Sequence, residues 1–430
     1  MKRLFGIGLL VALTTGLAYG LVVTRQEASY REFIERGDAA LARDDSYAAI
    51  EAFSVAISWK GDSMAAHLKR GEAYRRRNEF AAALRDLRQA AELDPLATYP
   101  RELLGDVHYA RALADGQAAP TLFRRAVDRY RQCVDLDDGS ARLQYKLGLA
   151  SYRAGQVPAA IEALRRAIGL DPRFVEAHYA LGVCLRAAQQ TDAAIASLER
   201  AVALGPDFLP AREELADVYG ALGRYEARLS HLEALVKLAP AASRERALGL
   251  AYARAGHLDR AVGTLSHAAQ GYPDDAATYV AVGRVWLELA AGGGRVELNK
   301  ALRALQAAVG ADSSSEDLTL LGRALLLAGD LPRAQQVLEQ AAVRFPVDPE
   351  AFRYLSEVAE RRGHRSIAQA ALLDYAALVR TEVLTGSLLA RLGEVHLRRG
   401  DMESARRAIE AALDKEPGNR LALGLKGRLR

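Results

Sequence analysis

Residues 143–172 read LQYKLGLASYRAGQVPAAIEALRRAIGLDP, and residues 177–206 read AHYALGVCLRAAQQTDAAIASLERAVALGP. The second stretch is the first moved by 34 residues. Tyr145 returns as Tyr179, Gly148 as Gly182, Ala160 as Ala194, Leu164 as Leu198, Ala167 as Ala201 and Pro172 as Pro206. Outward from this pair, marker glycines stand at Gly37, Gly71, Gly105, Gly249, Gly283, Gly322, Gly393 and Gly427, with Ala216 and Ser356 at the middle of the doubled gaps. Ala49, Ala83, Ala261, Ala334 and Ala405 follow their markers by twelve residues, and Pro95, Pro240, Pro273, Pro346 and Pro417 close the units. Three residue types keep one period, so the chain is a repeat array before it is anything else.

The period has a physical reading. Small residues twelve apart let two antiparallel helices approach closely, and the large apolar residue between each pair of alanines fills the space between them. Proline ends the second helix, because it lacks the backbone donor and disfavours helix in the residue before it. Arg76-Arg77-Asn78-Glu79 and Ala255-Gly256-His257 read as the turns inside a unit. The expected fold is all-α, with about 23 helices and contacts chiefly between neighbouring units.

This pattern resembles the tetratricopeptide repeat (TPR) family across nearly all of Ser29 to Arg430; its LG-to-Y element stands as Leu248-Gly249 with Tyr252 and as Gly71 with Tyr74. The resemblance implies a right-handed superhelical solenoid of about eleven helix-turn-helix units over residues 29–419, closed by a capping helix at 420–430. Repeat three carries nine extra residues around Ala114 to Pro120, and five more fall around Gly292-Gly293-Gly294. A further three extra residues belong after Tyr375.

Residues 1–28 read differently. Leu4 to Val23 is an uncharged run of twenty residues behind Lys2 and Arg3, long enough as a helix of about 30 Å to cross one bilayer. It reads as an uncleaved anchor; the alternative is a cleaved secretory signal, for which Ala18-Tyr19-Gly20 is a poor cleavage site. The immediate flanks place the amino terminus inside, which puts the body outside the cytoplasm, on the periplasmic side of a bacterial inner membrane. Arg25, Arg31 and Arg36 leave a cytoplasm-facing body as the rival. Anchor plus repeats is similar to the bacterial lipopolysaccharide-assembly adaptor, whose CxxC zinc module is absent here, so only the architecture carries over.

Composition narrows the function. Half of the 430 residues are hydrophobic and 26% are charged, which suits a large folded core. A net charge of +4 without long single-sign runs leaves no footprint for nucleic acid. Cys133 and Cys184 are separated by a whole repeat and are expected to stay free thiols. No phosphate-binding loop, nucleophile elbow or HExxH motif is present, the eight histidines stand singly, and the pairs Glu213-Glu214 and Asp44-Asp45 read as solvated faces or caps. Neither an enzyme nor a cofactor is expected.

What remains is binding. With each marker numbered position 8, positions 4, 7, 8 and 11 share the packing side of the first helix, and positions 2, 5, 9 and 12 lie on a stripe away from it. In TPR proteins that stripe walls a concave groove for extended peptides. Repeats four and five place Arg142, Tyr145, Leu149, Tyr152, Tyr179, Val183 and Arg186 there, joined by Tyr99 and Tyr109 of repeat three. Exposed Tyr and Arg dominate binding hot spots; interhelix packing is the competing role for the same tyrosines. A weaker stripe holds Val280, Arg284, Leu287, Thr319, Arg323 and Leu326. The chaperone-tail clamp of the family needs lysine and asparagine where this chain has Ile34 and Asp38, then Leu68 and Glu72. An asparagine-ladder groove is excluded too, since only Asn78, Asn299 and Asn419 occur. The expected function is a membrane-tethered scaffold for protein or peptide partners in envelope assembly or secretion, with an exported polysaccharide as the rival ligand.

Overall fold

The computed structural model describes the backbone of residues 2–310 and 312–429, with side chains from residue 22 onward within that range. Among the described residues there are 23 α-helices, one short 3-10 turn and no strand. They group into two compact units, residues 1–218 and residues 219–430.

In the unit of residues 1–218, behind the opening helix Lys2–Ala42 and outside repeat three, first helices of 13 residues alternate with second helices of 14. Ala141–Arg153 is followed by Val157–Leu170, and Val175–Ala187 by Thr191–Leu204. A Cβ added to Gly182 would lie 2.6 Å from Leu198 Cγ and 3.2 Å from the Ala194 carbonyl oxygen, and one added to Gly148 would lie 2.6 Å from Leu164 Cγ. The large residue between the alanines therefore sits on the marker glycine rather than filling a gap beside it. The unit of residues 219–430 repeats the device with Leu265 on Gly249 and Leu338 on Gly322, each 2.5 Å from such a Cβ. Ser356, at a marker position, is 2% exposed, and its hydroxyl donates to the Ala368 carbonyl across the helix pair at 2.9 Å. Gly427 keeps the period without the contact: it lies on the closing helix Arg420–Arg428, where a Cβ would meet nothing within 4 Å.

Ala194 is fully buried beneath Gly182. Ala194→Leu is expected to destabilise the protein by about 1 to 3 kcal/mol through overpacking. Denaturant unfolding checks this, with far-ultraviolet circular dichroism showing that the helix content of the folded state is kept.

The extra residues go mostly into helix. Repeat three lengthens both its helices, to 17 residues in Thr98–Ala114 and 18 in Ala119–Leu136. The added turns bury Ala112, Leu122 and Phe123 in a small core of their own. The glycines at 292–294 form the turn between Ala276–Ala290 and Arg295–Ala308, with Gly293 at φ 91°, a conformation that only glycine adopts freely. After Tyr375 the added residues make the 3-10 turn Thr381–Val383, and Leu384 tucks back against Tyr375, Leu389 and Ile409.

Cys133 and Cys184 are buried free thiols in different clusters, the first with Val134 and Leu143, the second with Leu181 and Leu185. Burial pushes both thiols up to about 12, so neither has thiolate character at neutral pH. The segment Leu4 to Val23 lies outside the residues whose side chains are described, apart from exposed Val22 and Val23. Among the described residues no helix is long and apolar enough to cross a membrane.

Candidate partner groove

The stripe singled out from the sequence is carried by Thr98–Ala114, Ala141–Arg153, Val175–Ala187 and the start of Leu209–Ala221. Tyr145, Leu149 and Tyr152 are half-buried against a cluster that includes Ile161, Leu181 and Leu185. The Tyr145 ring lies 4.9 Å from Phe174 and the Tyr179 ring 5.5 Å from Phe208, centroid to centroid. Sequence reasoning missed both phenylalanines, although each follows its closing proline by two residues, at Pro172 and Pro206. Val183 is half-buried and Tyr99 exposed. Tyr109 turns its ring edge to Phe123 at 5.2 Å and belongs as much to the core of the repeat-three extension as to the stripe.

The arginines are exposed, as expected, but each is paired with a carboxylate. Arg142 donates to Glu102 at 2.8 Å, and Lys146 bridges Glu102 and Asp106 at 2.7 Å each. The Glu102 side chain is only 3% exposed, so the two cations are what make its burial tolerable. Tyr130 adds a hydrogen bond to Asp106 at 2.7 Å. Arg186 pairs with Glu214 at 2.6 Å. Glu102 and Asp106 occupy positions 5 and 9 of repeat three, on the same stripe, so the sequence did hold the signal for them.

Two groups of tyrosines differ in what their hydroxyls meet. Tyr130, Tyr252 and Tyr375 donate to Asp106, Glu233 and Glu350, and Tyr30 shares a hydrogen bond with Ser63. These are packing tyrosines with their hydroxyls satisfied, as burial demands. The hydroxyls of Tyr109, Tyr145, Tyr152 and Tyr179 have no hydrogen-bond partner among the described residues. Burial, followed by the charge of Glu176, holds the Tyr145 phenol up at about 12; burial, followed by Glu214 and Glu213, raises that of Tyr179. Tyr145 and Tyr179 are thus neutral hydroxyls at physiological pH.

In the unit of residues 219–430 the weaker stripe is mostly packing: Leu287, Thr319 and Leu326 are buried, and Arg284 pairs with Glu316 at 2.6 Å. Arg323, with its guanidinium 6.0 Å from the Tyr354 ring centre, lines a cleft of about 520 Å³ with Thr319 and Pro346. The described histidines include structural pins: His67 and His178 hydrogen-bond the Gly61 and Pro172 carbonyls of the preceding turns at 3.0 and 3.1 Å. No group of metal-ligating side chains is assembled among the described residues.

A tetratricopeptide repeat profile matches residues 145–207, 319–382, 361–420 and 390–430, and a second one matches residues 209–241. The chain carries tetratricopeptide repeats. Such arrays are protein-interaction scaffolds, generally without catalysis of their own. Among solved structures the chain is similar to the TPR protein YrrB, with 22% identity over 44% of this chain and 94% of that one and a TM-score of 0.37. It is similar to MamA of Desulfovibrio magneticus RS-1, with 18% identity over 42% and 97% and a TM-score of 0.38. A tetratricopeptide repeat protein from Parabacteroides merdae gives 15% identity over 60% and 99%, at a TM-score of 0.44. No curated protein matches the sequence.

Proposed function

We propose that this TPR protein is a membrane-tethered, non-enzymatic scaffold that holds an extended protein or peptide segment against the first helices of repeats three to five. The observation that carries the reading is the grouping of tyrosines. Four half-buried rings gather on one stripe with hydroxyls that no described residue meets, whereas Tyr130, Tyr252 and Tyr375 donate to carboxylates and Tyr74, Tyr225, Tyr272 and Tyr354, with hydroxyls likewise unmet, stand at other positions of their units. A hydroxyl kept at a half-buried site is matched by water or by a ligand that replaces it. The polysaccharide alternative relied on arginines meeting acidic sugars, and Arg142 and Arg186 are already committed to Glu102 and Glu214.

Tethering through Leu4 to Val23, with the body on the periplasmic side of a bacterial inner membrane, completes the proposal and suits an envelope assembly or secretion complex. A reporter active only outside the cytoplasm, fused after Arg430, is expected to be active, and the chain is expected to resist carbonate washing. Activity of a cytoplasm-only reporter would move the body to the other face. A soluble chain beginning near Leu21 would make the segment a removed signal. Co-purification from detergent extracts tests the scaffold itself, the expected result being a protein partner rather than a polymer.

A further inference from the structure

Charge on the groove stripe is unevenly shared. Across positions 2, 5, 6, 9 and 12 of repeats three to six the cations are Arg142, Lys146 and Arg186, and each is held by a carboxylate of an adjacent first helix. Glu102 and Asp106 are thereby matched by Arg142 and Lys146, and Glu214 by Arg186. The same stripe also carries Glu176 and Asp217, which no stripe cation offsets. Glu176 and Asp217 are exposed and make no ion pair or hydrogen bond among the described residues.

These carboxylates act on the tyrosines. Glu176 is the first charge felt by the Tyr145 phenol, and Glu214 and Glu213 are the first felt by that of Tyr179. A tyrosine ring beside an unpaired carboxylate, as Tyr145 is beside Glu176, attracts cations twice, through the ring quadrupole and through the net charge. The same surface repels acidic segments, since every stripe cation that could receive a carboxylate is already occupied.

On the groove reading above, we infer that repeats four to six take an extended peptide segment bearing arginine or lysine side chains, which lie beside Tyr145 and Tyr179 and pair with Glu176 and Asp217. Arginine suits the site better than lysine, because its planar guanidinium stacks on a ring while its fork meets a carboxylate. The free tyrosine hydroxyls then serve the peptide backbone.

The test uses the full chain in detergent and three fluorescent ten-residue peptides of one Gly/Ser framework carrying Arg, Gln or Glu at alternate positions. The Arg peptide is expected to bind at least about tenfold more tightly than the Gln peptide, with a preference that shrinks as salt rises. The Glu peptide is expected not to bind. Glu176→Gln with Asp217→Asn, both at exposed positions, should weaken the Arg peptide about tenfold and leave the Gln peptide unchanged. Equal affinity for the Arg and Gln peptides, both lost in Tyr145→Phe with Tyr179→Phe, would overturn the cationic preference and leave the groove standing. Binding that ignores the tyrosine substitutions would overturn the groove and this inference together.

Discussion

Lowering the pH from 6.5 to 4 is expected to remove roughly 2–3 kcal/mol of stability through one side chain, His108. This residue, at position 11 of repeat three, is 3% exposed, and its Nδ1 is buried without a partner. Burial holds its imidazole down at about 4, helped by the charges of Arg125 and Arg129 on the second helix, Arg88 on the preceding repeat and Arg111 one turn away. In the unfolded chain the group takes up its proton near pH 6.5, while in the folded protein it resists until about 4. The unfolded state therefore binds more protons throughout that window, and stability falls as the pH falls. Below it both states are protonated, and His108 contributes no further change. His108→Leu removes the titration with little loss at pH 7, because no hydrogen bond of Nδ1 is broken. Urea unfolding at pH 7, 5.5 and 4.5 should give a steeper acid loss for the wild type than for His108→Leu. Equal slopes would show that the imidazole is charged, or solvated, in the folded state.

What the sequence disclosed, and what it withheld, divides by range. Helix pairing was legible because it depends on residues 12 to 16 apart in one unit: Gly182 with Ala194 and Leu198 is a complete packing device inside one hairpin. Lateral contacts between first helices were not. Arg142 meets Glu102 and Arg186 meets Glu214, pairs 40 and 28 residues apart, and whether they meet depends on the turn lengths between them. Repeat three shows the point, since its longer helices alter the separation without altering the stripe. Position 12 was misplaced for a related reason. The 100° wheel puts it on the free side, which suits exposed Arg186 and half-buried Tyr152, but Leu287 and Leu326 are buried there and Tyr109 turns to Phe123 on the lengthened second helix of repeat three.

The larger effect is expected on binding. Replacing Tyr145 and Tyr179 by alanine should weaken the partner by about 4 kcal/mol, or roughly 1000-fold, if each is a hot spot of about 2 kcal/mol. That experiment alone is ambiguous, because both rings also pack, on Phe174 and Phe208, and truncation lowers stability as well. Phenylalanine separates the two roles. Tyr145→Phe with Tyr179→Phe keeps the rings and removes two hydroxyls that have no hydrogen-bond partner among the described residues, so the melting temperature should hardly move, within about 0.5 kcal/mol. If the hydroxyls serve a bound segment, each should cost about 0.5–1.5 kcal/mol of affinity, together about tenfold or more. Calorimetric binding of the co-purified partner, set beside thermal unfolding of the same samples, reads both quantities. A falling melting temperature in the phenylalanine pair would mean that the hydroxyls are satisfied internally. Unchanged affinity there, with alanine losing only what its unfolded fraction explains, would return these tyrosines to packing and leave Arg323 and Tyr354, at the cleft in the other unit, as the next place to look.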